Sequence, residues 1–218
     1  MKNIIFIAPP AAGKGTQAKL VSTEYNIPHI STGDLLREEM SKKTEIGLSI
    51  QSDMDKGNLV SDEVITTLLK NRITKEDCLK GFILDGYPRN LAQAKSLNEL
   101  LKELNLDKCT VIFFDIDKDV ALKRTLSRII CSSCGSSYNL LIDGLKPKKE
   151  NICDRCGNEL KIRKDDTEEV FIHRFDTYLN STKDLIEYYQ NLELLHKINV
   201  STKTVEEIFE EVKEILND

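Results

Sequence analysis

The strongest indication of the fold of this 218-residue chain is the segment Ala8-Pro9-Pro10-Ala11-Ala12-Gly13-Lys14-Gly15-Thr16. It follows the apolar run Ile4 to Ile7 and leads into a stretch with helical spacing, Gln17 to Glu24. A buried strand that ends in a turn of small residues and feeds a helix N-terminus points several backbone N–H groups at one spot, where a polyanion binds. Lys14 adds a mobile positive charge for terminal phosphates, and the Thr16 hydroxyl can approach Mg²⁺ or a phosphate oxygen. The stretch therefore predicts a phosphate-binding loop.

The match to the general phosphate-loop pattern G-x-x-x-x-G-K-[ST] is incomplete. Ala8 occupies the position of the first glycine, and Gly15 follows Lys14 where the pattern has a hydroxyl residue. The alternative interpretation is a tight strand-to-helix turn that leaves a lysine exposed. We favour the phosphate loop because the strand, the loop and the helix that the motif requires all occur here.

Composition limits the class of protein. Hydrophobic residues make up 40% of the chain, which is enough for one sizeable core with one or two small insertions. The formal net charge of −5 argues against nucleic acid or an anionic membrane as a partner. The apolar start at residues 4–8 is too short for a signal sequence and no later run could span a bilayer, so we expect a cytoplasmic protein. Thiols stay reduced there, so the six cysteines indicate metal binding or packing rather than disulfides.

Three further apolar runs predict buried strands, at residues 82–84, 110–114 and 197–200. Segments with helical spacing separate these runs, and the last helix opens with the capping-box pair Thr204 and Glu207. Strands that alternate with helices predict an α/β fold, a parallel sheet covered on both faces. A ligand of such a sheet binds at the carboxyl ends of the strands, which is where the predicted phosphate loop lies.

Two segments interrupt the alternation. Residues 31–60 have a helical pattern but form an excursion between strands that is longer than an ordinary connection. Residues 128–164 form a short polar segment that contains glycines and four closely spaced cysteines. We expect both segments to be insertions into the main α/β domain.

The cysteine pattern in the second insertion is typical of a zinc site. Cys131 and Cys134 form one C-x₂-C pair, and Cys153 and Cys156 form another after eighteen intervening residues. Because protein ligands fill all four positions of such a site, we expect a structural zinc ion with no coordination position open to substrate. Cys78 and Cys109 stand alone and are expected to be packing residues.

The same insertion is the basic part of the chain. Residues 128–164 carry a net charge of +4, which leaves −9 for the remainder. A zinc-braced basic flap beside a phosphate loop suggests a cover for a polyphosphate. The rival interpretation is a nucleic-acid-binding zinc ribbon, but only Tyr138 could stack on a base.

Taken together, these residues resemble the adenylate kinases, in particular the bacterial form with a long zinc-containing lid. The loop resembles that family's G-x-P-G-x-G-K-G-T. The segment 31–37 is similar to its nucleoside monophosphate segment, and Asp85-Gly86-Tyr87-Pro88-Arg89 to its D-G-[FY]-P-R signature, with Gln93 at the expected distance. Arg163-Lys164-Asp165-Asp166 and Arg174 match the lid-closing segment and the helix after it.

The resemblance implies a P-loop NTPase-type parallel sheet flanked by helices, with three parts. Residues 1–30, 61–127 and 165–218 would form the core domain. Residues 31–60 would form a helical insert that binds the nucleoside monophosphate, and residues 128–164 the zinc-bearing lid.

The resemblance also implies reversible phosphoryl transfer from MgATP to AMP, giving two ADP, by a monomer that binds ATP, AMP and ADP without nucleic acid or membrane. The ATP site would comprise Ala11, Ala12, Gly13, Lys14, Gly15, Thr16, Arg124 and Arg128. The AMP site would comprise Thr32, Arg37, Leu59, Val60, Gly86, Arg89, Gln93, Arg163 and Arg174. Catalysis would depend on Lys14, Arg89, Arg124, Arg128, Arg163 and Arg174, with Asp85 holding Mg²⁺ through water.

The chain departs from the family at Ala8 and Ala11, where glycine is usual. An alanine forced to positive φ costs about 1 to 2 kcal/mol, so we expect both residues to keep φ angles that are open to alanine. The alternative is a weakened affinity for the ATP phosphates. His29, His173 and His196 have no motif around them and are expected to be structural.

Two other functions are compatible with parts of the pattern. A kinase for another nucleoside monophosphate would share the fold, but the pyrimidine-specific relatives have short lids. A non-catalytic nucleotide sensor or zinc-dependent nucleic-acid protein would lack the arginines that neutralise charge during phosphoryl transfer, and this chain has them.

Overall fold

The structure is a computed structural model that describes residues 1–55, 60–163 and 166–217, and its centre is a parallel sheet. The strands of this sheet follow the order β2-β3-β1-β4-β8. Their bounds are Lys2–Ile7 for β1, His29–Ser31 for β2, Gly81–Asp85 for β3, Thr110–Asp115 for β4 and Leu195–Asn199 for β8. The strands predicted from apolar runs are confirmed, whereas β2 was not predicted.

Helices cover both faces of this sheet. They are α1 (Lys14–Tyr25), α2 (Thr32–Lys42), α3 (Glu45–Asp55), α4 (Asp62–Ile73), α5 (Leu91–Glu103), α6 (Lys118–Leu126), α7 (Glu168–Asn191) and α8 (Val205–Asn217), with a 3₁₀ turn at Glu76–Cys78. The predicted capping box opens α8: the Thr204 N–H donates to Glu207 Oε2 at 2.8 Å, and the Glu207 N–H donates to Thr204 Oγ1 at 3.2 Å.

The alternation of side chains along β1 divides the core in two. Ile4 and Phe6 pack into one cluster with residues of α1 and α8, while Ile5 and Ile7 pack into the other with residues of α4 and α5. A strand whose two faces are both covered must be apolar throughout, which is why this run carries so strong a signal in the sequence.

Each of the two predicted insertions has a small apolar cluster, which the first insertion shares with α4. Leu36, Ile50, Val60 and Leu68 form a cluster between α2, α3 and α4. A separate antiparallel sheet has the order β6-β5-β7, from β5 (Arg128–Cys131), β6 (Ser137–Asn139) and β7 (Leu160–Ile162). Its buried residues include two of the four clustered cysteines.

No helix within the described part of the chain combines the length and the apolar character needed to cross a membrane.

Candidate nucleotide and metal sites

The predicted phosphate loop joins β1 to α1 at the carboxyl edge of the parallel sheet. The Ala12 N–H donates to the Pro9 carbonyl at 3.4 Å, and the Thr16 N–H donates to the Gly13 carbonyl at 3.0 Å. Gly13 caps α1 with φ 86°, a left-handed conformation that glycine adopts without strain. A Cβ atom added at Gly13 or Gly15 would meet no atom within 4 Å, so open space faces the loop backbone. This geometry leaves the first N–H groups of α1 available to an anion.

The expectation for the two loop alanines is wrong at one position. Ala11 has a positive φ of 62°, whereas Ala8 does not have a positive φ. The methyl group of an alanine in this region crowds the following carbonyl and costs about 1 to 2 kcal/mol. The loop therefore holds local strain at Ala11, where the family pattern has glycine, and Ala8 is accommodated as expected.

Lys14 and Asp85 meet across this edge of the sheet. Lys14 Nζ lies 2.9 Å from Asp85 Oδ1, and His29 Nε2 lies 2.9 Å from Asp85 Oδ2. Burial alone would raise the pKa of Asp85, but the hydrogen bond from His29 and the charge of Lys14 outweigh it and lower the pKa to about 2. Asp85 is therefore a carboxylate throughout the neutral range.

His29 was expected to be a structural histidine, and the structure places it in contact with the predicted site residue Asp85. It begins β2, a three-residue strand that pairs with β3 so that Ser31 lies opposite Asp85. Only the strand pairing brings His29 to Asp85, because the two are far apart in sequence. A three-residue strand gives no period that sequence reasoning could have used.

The loop after β3 collects several of the residues predicted to bind AMP. The Gly86 carbonyl accepts from Thr32 Oγ1 at 3.2 Å and from Arg89 Nε at 2.8 Å. Gly86 has φ 81°, and the Tyr87–Pro88 peptide bond is cis. Desolvation by the surrounding protein lowers the pKa of Arg89, opposed by the nearby Asp85 charge, and the guanidinium stays cationic at neutral pH.

Gln93 is held in place from two sides. Its side chain accepts from the Arg89 N–H at 2.7 Å through Oε1 and donates to Asp62 Oδ1 at 2.6 Å through Nε2. Val60, another predicted AMP residue, is buried, whereas Leu59 lies outside the described residues. Arg37 is exposed and pairs with Asp34 on the first turns of α2.

A small pocket adjoins the phosphate loop and contains most of the residues predicted to bind ATP. Arg124 reaches into it from α6 and donates to the Val200 carbonyl at 3.0 Å. Partial burial lowers the pKa of Arg124. The sequence did not predict Gln17 of α1, nor the lining residues of the second insertion and of the segment around α8. The pocket is lined by Ala11, Ala12, Gly13, Thr16, Gln17, Arg124, Ile142, Leu145, Lys203, Val205 and Ile208.

The predicted lid arginines lie in different surroundings. Arg128 makes a bidentate ion pair with Asp166, in which Nε donates to Oδ2 at 2.8 Å and Nη2 donates to Oδ1. The Asp166 side chain is fully buried, so this pair fixes the start of β5 against the segment before α7. Arg163 follows β7 and is exposed, and Arg174 lies on α7 and is also exposed. The Asp166 contact was not predicted, although Asp166 belongs to the quoted four-residue segment.

The four clustered cysteines come together as the spacing predicts. Their sulfur atoms all lie within 4.8 Å of one another, with Cys131 Sγ 3.4 Å from Cys156 Sγ and Cys134 Sγ 3.5 Å from Cys153 Sγ. Zn–S bonds of about 2.3 Å in a tetrahedron place sulfur atoms roughly 3.8 Å apart, so the cluster fits one zinc ion.

The two halves of the cysteine cluster repeat one backbone turn. The N–H of Gly135 donates to the Cys131 carbonyl at 2.9 Å, and the N–H of Gly157 donates to the Cys153 carbonyl at 2.8 Å. Both glycines have positive φ, 69° and 73°, as expected for a residue that must turn the chain back after the second cysteine of each pair. The Tyr138 hydroxyl lies 3.5 Å from Cys153 Sγ, and hydrogen bonds from this hydroxyl and from the backbone N–H groups of Cys156 and Arg155 lower the pKa of that thiol.

The fold and these sites define a P-loop nucleotide-binding protein of the α/β class. It carries a second cluster of polar residues after β3 and a four-cysteine insertion that fits a structural zinc ion.

Comparison with known proteins gives the family. The model of the family described as adenylate kinase matches residues 6–194. Adenylate kinase of Archaeoglobus fulgidus is 47% identical over 214 residues, which cover 98% of this chain and 97% of that protein. Those of Clostridium tetani and Thermosipho melanesiensis are 44% and 45% identical, with 98% or more of each chain covered. The chain belongs to the adenylate kinase family, which transfers a phosphoryl group reversibly between MgATP and AMP.

Proposed function

We propose that this chain transfers the γ-phosphoryl group of MgATP to AMP, giving two ADP, with the residue roles that follow. The observation that carries the proposal is the Lys14–Asp85 pair. Lys14 belongs to the phosphate loop, and Asp85 directly precedes the loop that gathers Thr32, Gly86 and Arg89. A group transferred from one nucleotide to the other would pass beside this pair.

On the ATP side, the proposal gives the phosphates to the loop and the base to the adjoining pocket. The N–H groups at the start of α1 would bind the β- and γ-phosphates, and Lys14 would leave Asp85 to follow the terminal phosphate. The lining of the pocket, which includes the apolar Val205 and Ile208 as well as Arg124, suits a flat base. The flexible lysine stem allows this movement without rearranging the core.

On the AMP side, Thr32, Val60 and Gln93 would contact the base, and Arg37 and Arg89 would bind the phosphate. Both arginines already have a carboxylate or a carbonyl as a hydrogen-bond partner, Asp34 for Arg37 and Gly86 for Arg89. Those partners hold two cations near the site before an anion arrives, and a guanidinium still has further N–H donors to offer to a phosphate.

The remaining arginines would neutralise the charge that spreads over the transferring group. Phosphoryl transfer requires alignment and charge neutralisation rather than covalent participation, and the planar guanidinium meets phosphate oxygens in bidentate fashion. Arg128 uses two of its donors on Asp166 and would contact phosphate with the rest, joined by Arg163 and Arg174. This division assigns residues 31–60 to the AMP-binding insert and 128–164 to the lid, with residues 1–30, 61–127 and 165–218 as the core.

Mg²⁺ bound with ATP would supply positive charge to the β- and γ-phosphates. Asp85 suits it as a partner through water because its pKa of about 2 keeps the carboxylate ionised, and the Thr16 hydroxyl would lie near the same phosphates.

The test is formation of ADP from ATP with a panel of monophosphates, AMP, GMP, IMP, CMP and UMP, at equal concentration. We expect AMP to be preferred by at least tenfold in kcat/KM. Preference for another monophosphate would make the chain a kinase of different specificity, and absence of transfer with every acceptor would leave a nucleotide-binding protein. Arg89→Ala should mainly raise the KM for AMP, and Arg163→Ala should mainly lower kcat, by a factor that reaches about 10³ for a transition-state arginine.

We also propose that the enzyme works as a cytoplasmic monomer without nucleic acid or membrane. The net charge of −5 supports the absence of nucleic acid and of an anionic membrane as partners, because both carry negative charge. Sedimentation velocity at micromolar concentration, with and without ATP and AMP, would reveal a dimer by its larger sedimentation coefficient.

A further inference from the structure

We propose that Asp62 is a specificity-determining residue that acts through Gln93. In this proposal Asp62 fixes the orientation of the Gln93 side-chain amide, and that orientation selects a 6-aminopurine over a 6-oxopurine in the acceptor nucleotide. The inference rests on the proposed function, in which Gln93 faces the base of AMP.

The amide of Gln93 has one orientation that satisfies both of its protein partners. Gln93 is buried, with 5% of its surface exposed. The Arg89 N–H can only donate, and it lies 2.7 Å from Oε1. The Asp62 carboxylate can only accept, and its Oδ1 lies 2.6 Å from Nε2. Turning the amide over would set donor against donor and acceptor against acceptor, at two short contacts of a buried amide.

This fixed amide still has hydrogen-bonding capacity for a ligand. Oε1 has a second lone pair, and Nε2 has a second N–H. The residue therefore offers an acceptor and a donor side by side in a set order. Adenine presents the complementary pair, a donor at its C6 amino group and an acceptor at N1. Hypoxanthine and guanine present the reverse, an acceptor at O6 and a donor at N1–H, so a locked amide rejects them by leaving polar groups unpaired.

Asp62 is itself held on a short network that leads back to Gln93. It is the first residue of α4, where the helix dipole stabilises a carboxylate. Its carbonyl accepts from Thr66 Oγ1 at 2.7 Å, and the Tyr87 hydroxyl lies 3.3 Å from both Thr66 Oγ1 and the Gln93 carbonyl. Helix α4, which carries Asp62, and the start of α5, which carries Gln93, are thus joined by a second route, which keeps the carboxylate at hydrogen-bond distance from the amide.

The experiment compares the use of AMP and IMP by Asp62→Ala, with Glu63→Ala as the matched control. Glu63 is the next residue on the same first turn of α4 and is exposed. Its replacement by alanine therefore removes the same negative charge from the helix N-terminus as Asp62→Ala does. kcat and KM are measured for each acceptor at saturating MgATP, and IMP is tested as a competitor of AMP if its own turnover is slow. We expect Asp62→Ala to lower the AMP-to-IMP ratio of kcat/KM by about threefold to tenfold, chiefly through KM, with the KM for MgATP unchanged. Glu63→Ala should keep the wild-type ratio.

Two further variants separate orientation from general stability. Asp62→Asn retains an oxygen that can accept from Nε2, and it should restore most of the discrimination. If Asp62→Ala does not fold, Asp62→Ser takes its place, because its side chain is too short to reach Gln93 but keeps a polar start to the helix. Equal losses with AMP and IMP, leaving the ratio at its wild-type value, would overturn the proposal and leave Asp62 a structural residue.

Gln93→Leu distinguishes a failure of this inference from a failure of the proposed AMP site. If Gln93→Leu abolishes the preference for AMP while Asp62→Ala keeps it, the orienting role of Asp62 is wrong and the AMP site stands. If Gln93→Leu leaves the preference unchanged, Gln93 does not face the base. The proposed place of Gln93 in the AMP site and the orienting role of Asp62 are then both wrong.

Discussion

Lys14 Nζ lies 2.9 Å from Asp85 Oδ1, so a single ion pair joins the phosphate loop to the end of β3. Both side chains are largely enclosed, with exposed fractions of 25% for Lys14 and 15% for Asp85. An ion pair in such a position holds the Lys14 ammonium group near the place where phosphate would bind. Until then the Asp85 carboxylate balances its positive charge. The contact therefore connects the two halves of the proposed active site.

The first prediction is that Lys14→Met loses activity and keeps its fold. The substitution removes the charge proposed to follow the transferring phosphate but retains a side chain of similar length. We expect kcat to fall on the order of 10²-fold or more, as for the loss of one well-placed electrostatic donor. Lys19→Met, an exposed lysine on the same helix, is the control and should keep wild-type kcat. Circular dichroism would verify the fold, and a Lys14→Met enzyme with near-normal turnover would contradict the role of the loop.

The second prediction concerns the pH dependence of stability through Asp85. Its pKa is lowered from 3.8 to about 2 in the folded protein. A lowered carboxyl pKa contributes stability that is fully present above the unfolded pKa and is lost as the pH falls through the folded pKa. The difference corresponds to on the order of 2 kcal/mol. The extra free energy of unfolding of the wild type over Asp85→Asn that comes from this shift should therefore be fully present down to about pH 5 and shrink toward pH 2.

Urea unfolding of both proteins at several pH values measures this difference. A gap that stays constant down to pH 2.5 would show that Asp85 is not held as a carboxylate by Lys14 and His29. The same comparison in a His29→Ala background sets His29→Ala against His29→Ala/Asp85→Asn. The difference in free energy of unfolding should be smaller there, because the hydrogen bond from His29 favours the charged form of Asp85.

The sequence predicted the parts of the fold whose signal is local. The strand Lys2–Ile7 is apolar because both its faces are covered, and the phosphate loop follows it directly, so neighbouring residues carry the whole pattern. The two residues of each cysteine pair are also close in sequence, and the spacing of the pairs predicted that the four cysteines cluster. The capping box at Thr204 and Glu207 is confirmed for the same reason.

Contacts between distant segments could not be predicted in this way. His29 reaches Asp85 only because a short strand pairs with β3, and Asp62 reaches Gln93 only because α4 packs beside α5. Asp166 shows a related limit: its segment was singled out, but the burial that makes it the partner of Arg128 depends on the tertiary structure. The residue roles and the domain boundaries drawn from the family pattern remain predictions.

The third prediction is that glycine at position 11 relieves the strain in the phosphate loop. Ala11 has φ 62°, which costs about 1 to 2 kcal/mol, whereas glycine loses about 0.5 to 1 kcal/mol more backbone entropy on folding. We expect Ala11→Gly to raise the free energy of unfolding by up to about 1 kcal/mol and to change ATP affinity by less than about tenfold. Ala8→Gly is the control and should not stabilise. Denaturant unfolding and calorimetric ATP titration measure the two effects, and a far larger gain in affinity would mean that the native loop is strained against its ligand.

The fourth prediction is that the insertion at residues 128–164 depends on one zinc ion for stability but not for chemistry. Its own core is small, comprising Ile129 and Leu160 with the cysteines and Tyr138, so metal must supply much of its folding free energy. Structural zinc contributes roughly 10 to 16 kcal/mol of apparent binding free energy in small peptides. We expect elemental analysis to find one zinc per chain, and Cys131→Ser or Cys153→Ser to lower both metal content and Tm.

Activity below the lowered Tm should largely survive in these variants, because Arg128 and Arg163 flank the metal site and the four thiolates leave no coordination position open to substrate. Cys109→Ala is the control, since this buried cysteine lies outside the insertion and its loss should leave the zinc content at one per chain. Metal content, melting and activity are followed on the same samples, purified under reducing conditions. Absence of metal in the wild type would rule out the structural zinc ion. Loss of activity in a variant that is still folded at low temperature would show instead that the metal also positions the arginines proposed to contact the transferring phosphate.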